Sequence, residues 1–422
     1  MIKGVRGAPD ILPEETGKWQ YVEGVARQIL ENYGYQEIRT PIFEKTELFV
    51  KGIGEGTDIV EKEMYTFVDR SQESLTLRPE GTAPVVRAYL EHRLFTRAPI
   101  IKIYYLGPMF RHERPQAGRF RQFHQLGAEA IGSENPAIDA EILFLLNHLF
   151  EDLGLEGIEL QLNTIGCRNC RPEFRERFKV YMEAKAARLC PDCIVRLQRN
   201  PLRIMDCKEE GCQKVISMAP RFSQVICDPC SQHFRELEGL LSLLKVDYQL
   251  NERLVRGLDY YTRTTFEFIN PVLGAQNAIA GGGRYDGLVE EIGGISTPAI
   301  GFALGMERVV VSLPEDRPCL KAPYRGVYVA TLGDEAFRSG MLILSELRRR
   351  GFRASIDYEN RSLKSQMRLA NKEGYRFCII LGDEELKKGE ATLRDMEKAQ
   401  QERVPFSNLV DRLLALGEEK GA

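Results

Sequence analysis

The chain has 422 residues, 43% hydrophobic and 28% charged, with a formal net charge of −3. That is too long for one ordinary compact domain and too apolar for a disordered, collagen-like or disulfide-knot chain, so two or three soluble domains are expected. No stretch approaches eighteen consecutive apolar residues and MIKGVRGAPDILPEE lacks the apolar core of a secretory signal, so a cytoplasmic enzyme with no membrane association is expected, its ten cysteines being reduced thiols or metal ligands.

Trp19, Val22, Ala26, Ile29, Leu30 and Tyr33 recur at helical spacing and predict a first helix after Pro13, with Gly34 as its C-terminal cap. Residues 35–40 predict an extended stretch broken by Pro41, which cannot donate to a ladder and suits an edge or an interface. The runs MYTFVD, LTLRP, IIKIYYLGPMFR and FHQLGAEAIG predict short strands and 83–93 a helix, an order that favours an antiparallel α+β domain. Residues 137–155 and 232–245 predict amphipathic helices. TRTTFEFIN, AIAGGGRYDG and 299–311 then return to strand, turn and helix, before a linker marked by Pro314, Pro318 and Pro323. The tail alternates strand VYVATLG, helix through ELRRRG, strand RASIDYE, helix through RLANKEG and strand RFCIILG, predicting a separate α/β domain over 326–422. No internal repeat or low-complexity tract is present.

Most familiar catalytic signatures are absent. GIGEGT at 52–57 is followed by no Lys-Ser/Thr and lies in no βαβ frame, so it predicts a mobile loop and not a phosphate cradle. The run 110–124, FRHERPQAGRFRQFH, sets four arginines against one glutamate between two apolar strands, which predicts a hairpin with a long basic loop. Guanidinium forks suit phosphate and Phe123 offers a flat face for a base, while a plain solvated charged loop is the competing account.

FRHERPQAGRFRQFHQLGAEAIG resembles motif 2 of the class II aminoacyl-tRNA synthetases, in the form found in the histidyl-tRNA synthetase family. LTLRPEGTAPVVRAY, LVRGLDYYTRTTFEF, AGGGRYDGLV and GFALGMERV are similar to further blocks of that family in the same order, and IRTPIFEKTELF resembles its motif 1, which lies at a dimer interface. The resemblance covers essentially the whole chain. It implies an antiparallel-sheet catalytic domain over 1–325, interrupted by an insertion over 167–230, and an anticodon-binding domain over 326–422. The implied activity is ligation of L-histidine to histidine tRNA through an adenylate, with ATP and Mg²⁺, by a homodimer.

Activation of an amino acid joins two anions, so catalysis should be mostly positioning and charge neutralisation. The resemblance implies that Arg111 holds the α-phosphate and substrate carboxylate, Glu113 the adenine amino group, and Phe123 the adenine ring. It implies Arg308 for the γ-phosphate and Arg256 for the α-phosphate, where relatives use a metal ion. A neutral imidazole needs one acceptor and one donor; Glu129 and Tyr261 match that pair. Glu80, Thr82 and Gln125 match the acceptors for the substrate ammonium, Gly81 and Arg256 are also implied to bind histidine, and Tyr260 and Tyr285 close the pocket. Glycines 281–283 are expected to permit close backbone approach beside it. For a single arginine a structural salt bridge, and for a single tyrosine core packing, is the plainer account.

Eight of the ten cysteines fall within 64 residues as Cys167-x₂-Cys170, Cys190-x₂-Cys193, Cys207-x₄-Cys212 and Cys227-x₂-Cys230. This spacing predicts one or two structural Zn(Cys)₄ sites, ahead of unliganded thiols and disulfides. Zinc is not implied by the resemblance, since many family members lack most of these cysteines. The same window holds thirteen Lys/Arg against eight Asp/Glu, which suits contact with a tRNA phosphate backbone. The competing function is a non-catalytic paralogue that regulates ATP phosphoribosyltransferase in histidine biosynthesis. A class II enzyme for proline or threonine fails on RGLDYY and on Glu129 with Tyr261.

Overall fold

Trp19, Val22, Ala26, Ile29 and Leu30 form the buried stripe of α1 (Pro13–Asn32), whose first turn carries Pro13, where a missing N–H removes no helical bond. The structure, a computed structural model, describes residues 2–115, 118–314 and 326–418. Gln116 and Ala117 of the basic run and Pro318 and Pro323 of the expected linker lie outside these. The chain divides into two compact units, Met1–Asp316 and Arg317–Ala422.

In the first unit the extended stretch after α1 contributes only β1 (Gln36–Glu37) to a ladder. Beyond it the Thr40 carbonyl turns to the guanidinium of buried Arg78, 2.9 Å away, and Pro41 has no N–H to offer. Strands β2 (Phe43–Lys45), β3 (Tyr65–Val68) and β4 (Ser74–Leu77) form a small antiparallel sheet. The GIGEGT segment is not a loop throughout: Gly52 and Ile53 close α2 (Thr46–Ile53), and Thr57 is buried with its hydroxyl donating to the Gly54 carbonyl at 2.9 Å.

Helix α3 (Thr82–Glu91) leads to β5 (Ile101–Phe110) and β6 (Gln122–Ile131), which pair antiparallel as the expected hairpin. After α4 (Pro136–Asp152) come β7 (Glu159–Thr164), the cysteine-rich helices α5 (Arg171–Glu183), α6 (Pro191–Arg199) and α7 (Glu210–Ile216), α8 (Asp228–Leu243) and β8 (Gln249–Leu250). Strands β9 (Thr262–Ile269) and β10 (Ala278–Arg284), α9 (Leu288–Glu291), β11 (Ala299–Gly305) and α10 (Met306–Ser312) complete the unit. The eight-stranded sheet has the order β1-β5-β6-β11-β10-β9-β7-β8, antiparallel except at its two edge pairs. This is the antiparallel α+β domain expected of a class II synthetase.

Helix α4 covers one face of that sheet, and a buried charge fixes it there. Asp139, wholly buried, accepts from Arg284 Nε at 2.9 Å and from Thr264 Oγ1 at 2.6 Å. Burial pushes its carboxyl up to about 6 although Arg284 opposes the shift. The insertion is no separate globule: Phe174, Phe178 and Phe222 belong to the same apolar core as Val85, Ile103 and Tyr285.

In the second unit β12 (Val327–Thr331), α11 (Asp334–Arg349), β13 (Ala354–Ile356), α12 (Leu363–Lys372) and β14 (Phe377–Leu381) make the expected βαβαβ, with order β13-β12-β14 in parallel. The alternation stops there. After α13 (Asp383–Lys388), β15 (Glu390–Asp395) and β16 (Gln400–Pro405) add as an antiparallel hairpin, and α14 (Leu409–Glu418) follows. The four residues between β15 and β16 include Ala399 at φ 54°, and so short a link cannot make a parallel crossover.

Candidate active site

The uncovered face of the sheet is the floor of a cleft of about 600 Å³. Alternation along β6 turns Phe123, Gln125, Gly127 and Glu129 to that face. Register does the rest. Glu129 stands opposite Gly301 of β11, and Gly281 of β10 stands opposite Glu267 of β9. Glycine at 281 and 301 lowers the floor, so Arg256 from a loop and Glu129 from the neighbouring strand lie directly on backbone.

Glu129 is wholly buried and accepts from Thr82 Oγ1 at 2.8 Å and from the Tyr285 hydroxyl at 2.6 Å. Burial pushes its carboxyl up to about 8; the two hydroxyls act against the shift and nearby Glu80 adds to it. Glu80 accepts from the backbone N–H of Thr82 at 2.6 Å and of Ala83 at 2.8 Å, which anchors the start of α3. Burial raises its carboxyl, and those backbone donors oppose the shift. The Gln125 side-chain carbonyl is buried and has no hydrogen-bond partner. Tyr260 packs 4.7 Å from Tyr261 and 5.7 Å from Tyr285, centroid to centroid, and closes one end of the cleft.

Arg256 lies over Gly281 and pairs with Glu267. Burial opposes its charge, but Glu267 and the hydroxyls of Tyr261 and Tyr260 outweigh this and hold the guanidinium above its ordinary value. On the hairpin, Arg111 Nε donates to the Pro79 carbonyl at 2.9 Å, and its guanidinium sits 5.3 Å from the centre of the Phe123 ring. Glu113 pairs with Arg119 at 3.1 Å. Arg308, in the first turn of α10, donates to the Gly118 carbonyl at 3.2 and 3.1 Å and to that of Ala278. Arg111, Arg256 and Arg308 thus line one cleft together with Arg119 and Arg203.

Of the residues singled out in the sequence, Glu80, Thr82, Arg111, Glu113, Phe123, Gln125, Glu129, Arg256, Tyr260, Tyr261, Tyr285 and Arg308 all line the cleft. Gly81 does not; it lies under the Tyr105 ring, where a Cβ would come 2.2 Å from a ring carbon. Sequence reasoning missed Glu267, a lone carboxylate between two phenylalanines of a strand, which was a usable signal. It also missed Gly301, whose importance depends on its cross-strand neighbour, and Arg203, Asp206 and Lys208, which reach the cleft from the cysteine-rich segment.

The eight clustered cysteines gather into two groups of four, Cys167, Cys170, Cys227 and Cys230, and Cys190, Cys193, Cys207 and Cys212. The groups are nested along the chain, the second inside the loop closed by the first. Cys170, Cys190 and Cys227 each directly precede a helix. Sulfur separations are 3.6 Å for Cys167–Cys170, 3.8 Å for Cys167–Cys227, 3.9 Å for Cys170–Cys230 and 3.8 Å for Cys190–Cys207. A tetrahedron with Zn–S bonds of roughly 2.3 Å has an edge of about 3.8 Å. These residues therefore fit a tetrahedral thiolate site, and the cysteines among the described residues are free of disulfides.

The profile of the histidyl-tRNA synthetase family matches residues 7–175 and 199–309, breaking off inside the cysteine-rich segment, and that of the anticodon binding domain matches 326–416. The chain is 49% identical to the histidine–tRNA ligase of Syntrophotalea carbinolica, over 98% of each chain. It is 51% identical to that of Halothermothrix orenii, over 98% of this chain and 99% of the relative. The crystal structure of apo histidyl-tRNA synthetase from S. aureus superposes with a TM-score of 0.82 at 38% identity, covering 98% of this chain and 100% of that one. A catalytic sheet, an arginine-lined cleft and a matching C-terminal module lead to one conclusion: the chain belongs to the histidyl-tRNA synthetase family.

Proposed function

We propose that the cleft activates L-histidine with ATP, supplied as its magnesium complex, and that the enzyme then transfers the histidyl group to histidine tRNA. The observation that carries this reading is the convergence of Arg111, Arg256 and Arg308 with buried Glu129 on one glycine-floored face. A carboxylate oxygen of histidine attacks the α-phosphorus, a P–O–C(acyl) bond forms, and pyrophosphate leaves. Arg256 and Arg111 neutralise the charge that gathers at the α-phosphorus, and Arg308 holds the far phosphates. Phe123 and Glu113 receive adenine, while Glu80, Thr82 and Gln125 surround the ammonium. Glu129 and Tyr261 take the two imidazole nitrogens. A site built to hydrogen-bond its ligand rejects analogues lacking those groups by roughly 10⁴ to 10⁵, so no editing step is required.

The remaining assignments follow the same reading. Residues 1–325 form the catalytic domain around the 167–230 insertion, and 326–422 bind the anticodon arm. The protein works as a homodimer in the cytoplasm, and no helix among the described residues is long and apolar enough to cross a membrane. Each four-cysteine group holds one structural zinc, which joins helix starts that are distant in sequence. The alternative of a non-catalytic regulatory paralogue is disfavoured, because the three arginines and the C-terminal module are all present.

Histidine-dependent ATP–pyrophosphate exchange, with proline and threonine as controls, tests the proposal. Exchange with histidine alone is expected. A folded protein that binds histidine but supports no exchange would overturn it in favour of the regulatory paralogue.

A further inference from the structure

The loop 255–261 carries Arg256, Tyr260 and Tyr261 yet has neither helix nor strand to hold it. Its restraints come largely from the cysteine-rich insertion. Arg203 donates to the Gly257 carbonyl. Asn200 Nδ2 donates to both carboxylate oxygens of Asp259, at 3.1 and 3.3 Å. Arg171 Nη1 donates to the carbonyls of Tyr261 at 2.8 Å and Asp259 at 3.3 Å. Arg171 directly follows Cys170. Asn200 and Arg203 lie between Cys193 and Cys207, on a turn anchored by buried Pro201, Ile204 and Met205. Arg203 is itself 15% exposed and lines the cleft.

We propose that Arg203, aided by Asn200 and Arg171, is a positioning residue for histidine activation, and that the two four-cysteine groups hold these tethers in place. The inference rests on the histidine-activating and zinc readings above. A loop without a ladder takes its geometry from its few tethers, and misplacing a charge-neutralising group by about 1 Å costs up to 10²-fold in rate. The ATP-facing residues Arg111, Glu113 and Phe123 sit on or beside the β5–β6 hairpin, which the tethers do not touch.

The test uses the full-length, zinc-assayed protein in pyrophosphate exchange. Arg203→Ala is expected to lower kcat/KM for histidine at least about tenfold while KM for ATP stays within about twofold. Arg203→Lys, which keeps the charge and a donating group, should recover part of the loss, and Lys214→Ala, on an exposed surface pair of the same insertion, should change nothing. Arg203→Ala within twofold of the parent, or a loss accompanied by a comparable rise in KM for ATP and tracking a fall in melting temperature, overturns the proposal. Amide hydrogen exchange of the unmutated protein before and after zinc chelation decides the matter should that variant not fold. Faster exchange in 255–261 with β5 unchanged supports the coupling, and no change there overturns it. Absence of zinc from the purified protein would remove the zinc reading while the Arg203 comparison still stands. Absence of exchange in the parent would remove the histidine reading, and amide exchange of Arg203→Ala against the parent would then decide the tether.

Discussion

The carboxylate of Glu129 lies where a side chain on Gly301 would have to be: a Cβ built on Gly301 falls 1.7 Å from Oε2. The two residues are opposite partners on adjacent antiparallel strands, with their substituents on the same face. The acid that is proposed to read the imidazole ring thus lies flat on bare backbone, and its position is set by what its neighbour lacks.

Gly301→Ala should therefore act on specificity and not on ATP handling. Glu129 must leave its place between Thr82 and Tyr285, so kcat/KM for histidine is expected to fall about 10²-fold with KM for ATP nearly unchanged. Exchange kinetics with each substrate varied in turn check this. An equal effect on both substrates would contradict it.

Glu129 also makes stability depend on pH. Its carboxyl sits at about 8 in the folded protein against an ordinary 4.5. Between those values the folded state keeps a proton that the unfolded state releases, so this group's contribution to stability falls as pH rises. Glu129→Gln removes the term. The stability difference between the variant and its parent should move in the variant's favour by about 1 kcal/mol per pH unit between pH 5 and 8, read from urea unfolding at each pH. A pH-independent difference would show that Glu129 is ionised throughout.

Arg256 and Gly281 form a second such pair, a Cβ on Gly281 being 2.6 Å from the guanidinium carbon. Arg256→Ala is expected to slow adenylate formation about 10²- to 10³-fold, the usual cost of losing one charge-stabilising donor, while histidine binding weakens less than about tenfold. Gly281→Ala should reproduce a large part of that slowing with the arginine still present. Rapid-quench adenylate formation beside equilibrium histidine binding separates the two quantities, and parallel losses would refute the assignment.

For the cysteine groups, elemental analysis of protein purified without chelator should return about two zinc ions per chain, one for each group. Cys212→Ser should reduce this to about one. Less than a tenth of an equivalent in the unmutated protein would sink the zinc reading.

The roles of the site residues are implied by blocks that resemble a known family, whereas the elements that carry them are legible because they depend on short periods. Phe123, Gln125 and Glu129 share a strand parity, Arg308 stands beside a strand-to-helix boundary, and the stripe of α1 follows helical spacing. Each is a relation among near neighbours in the chain. The tail is legible as far as β14, where hydrophobic alternation is strong. Beyond Leu381 it is not, because polar strands such as β16, exposed at most of its positions, carry little periodic signal.

What the sequence determined by itself was many of the elements, the blocks such as RGLDYY and GMERV that carry the family resemblance, and the four cysteine pairs. Tertiary structure alone decided which pairs combine, since Cys167 meets Cys227 and not its nearer neighbours Cys190 or Cys207. It also decided that Gly301 and Gly281 are opposite Glu129 and Glu267, and that Arg203 reaches the loop of Arg256. Those relations join residues that register and loop closure bring together from far apart in the chain, and no local period encodes them.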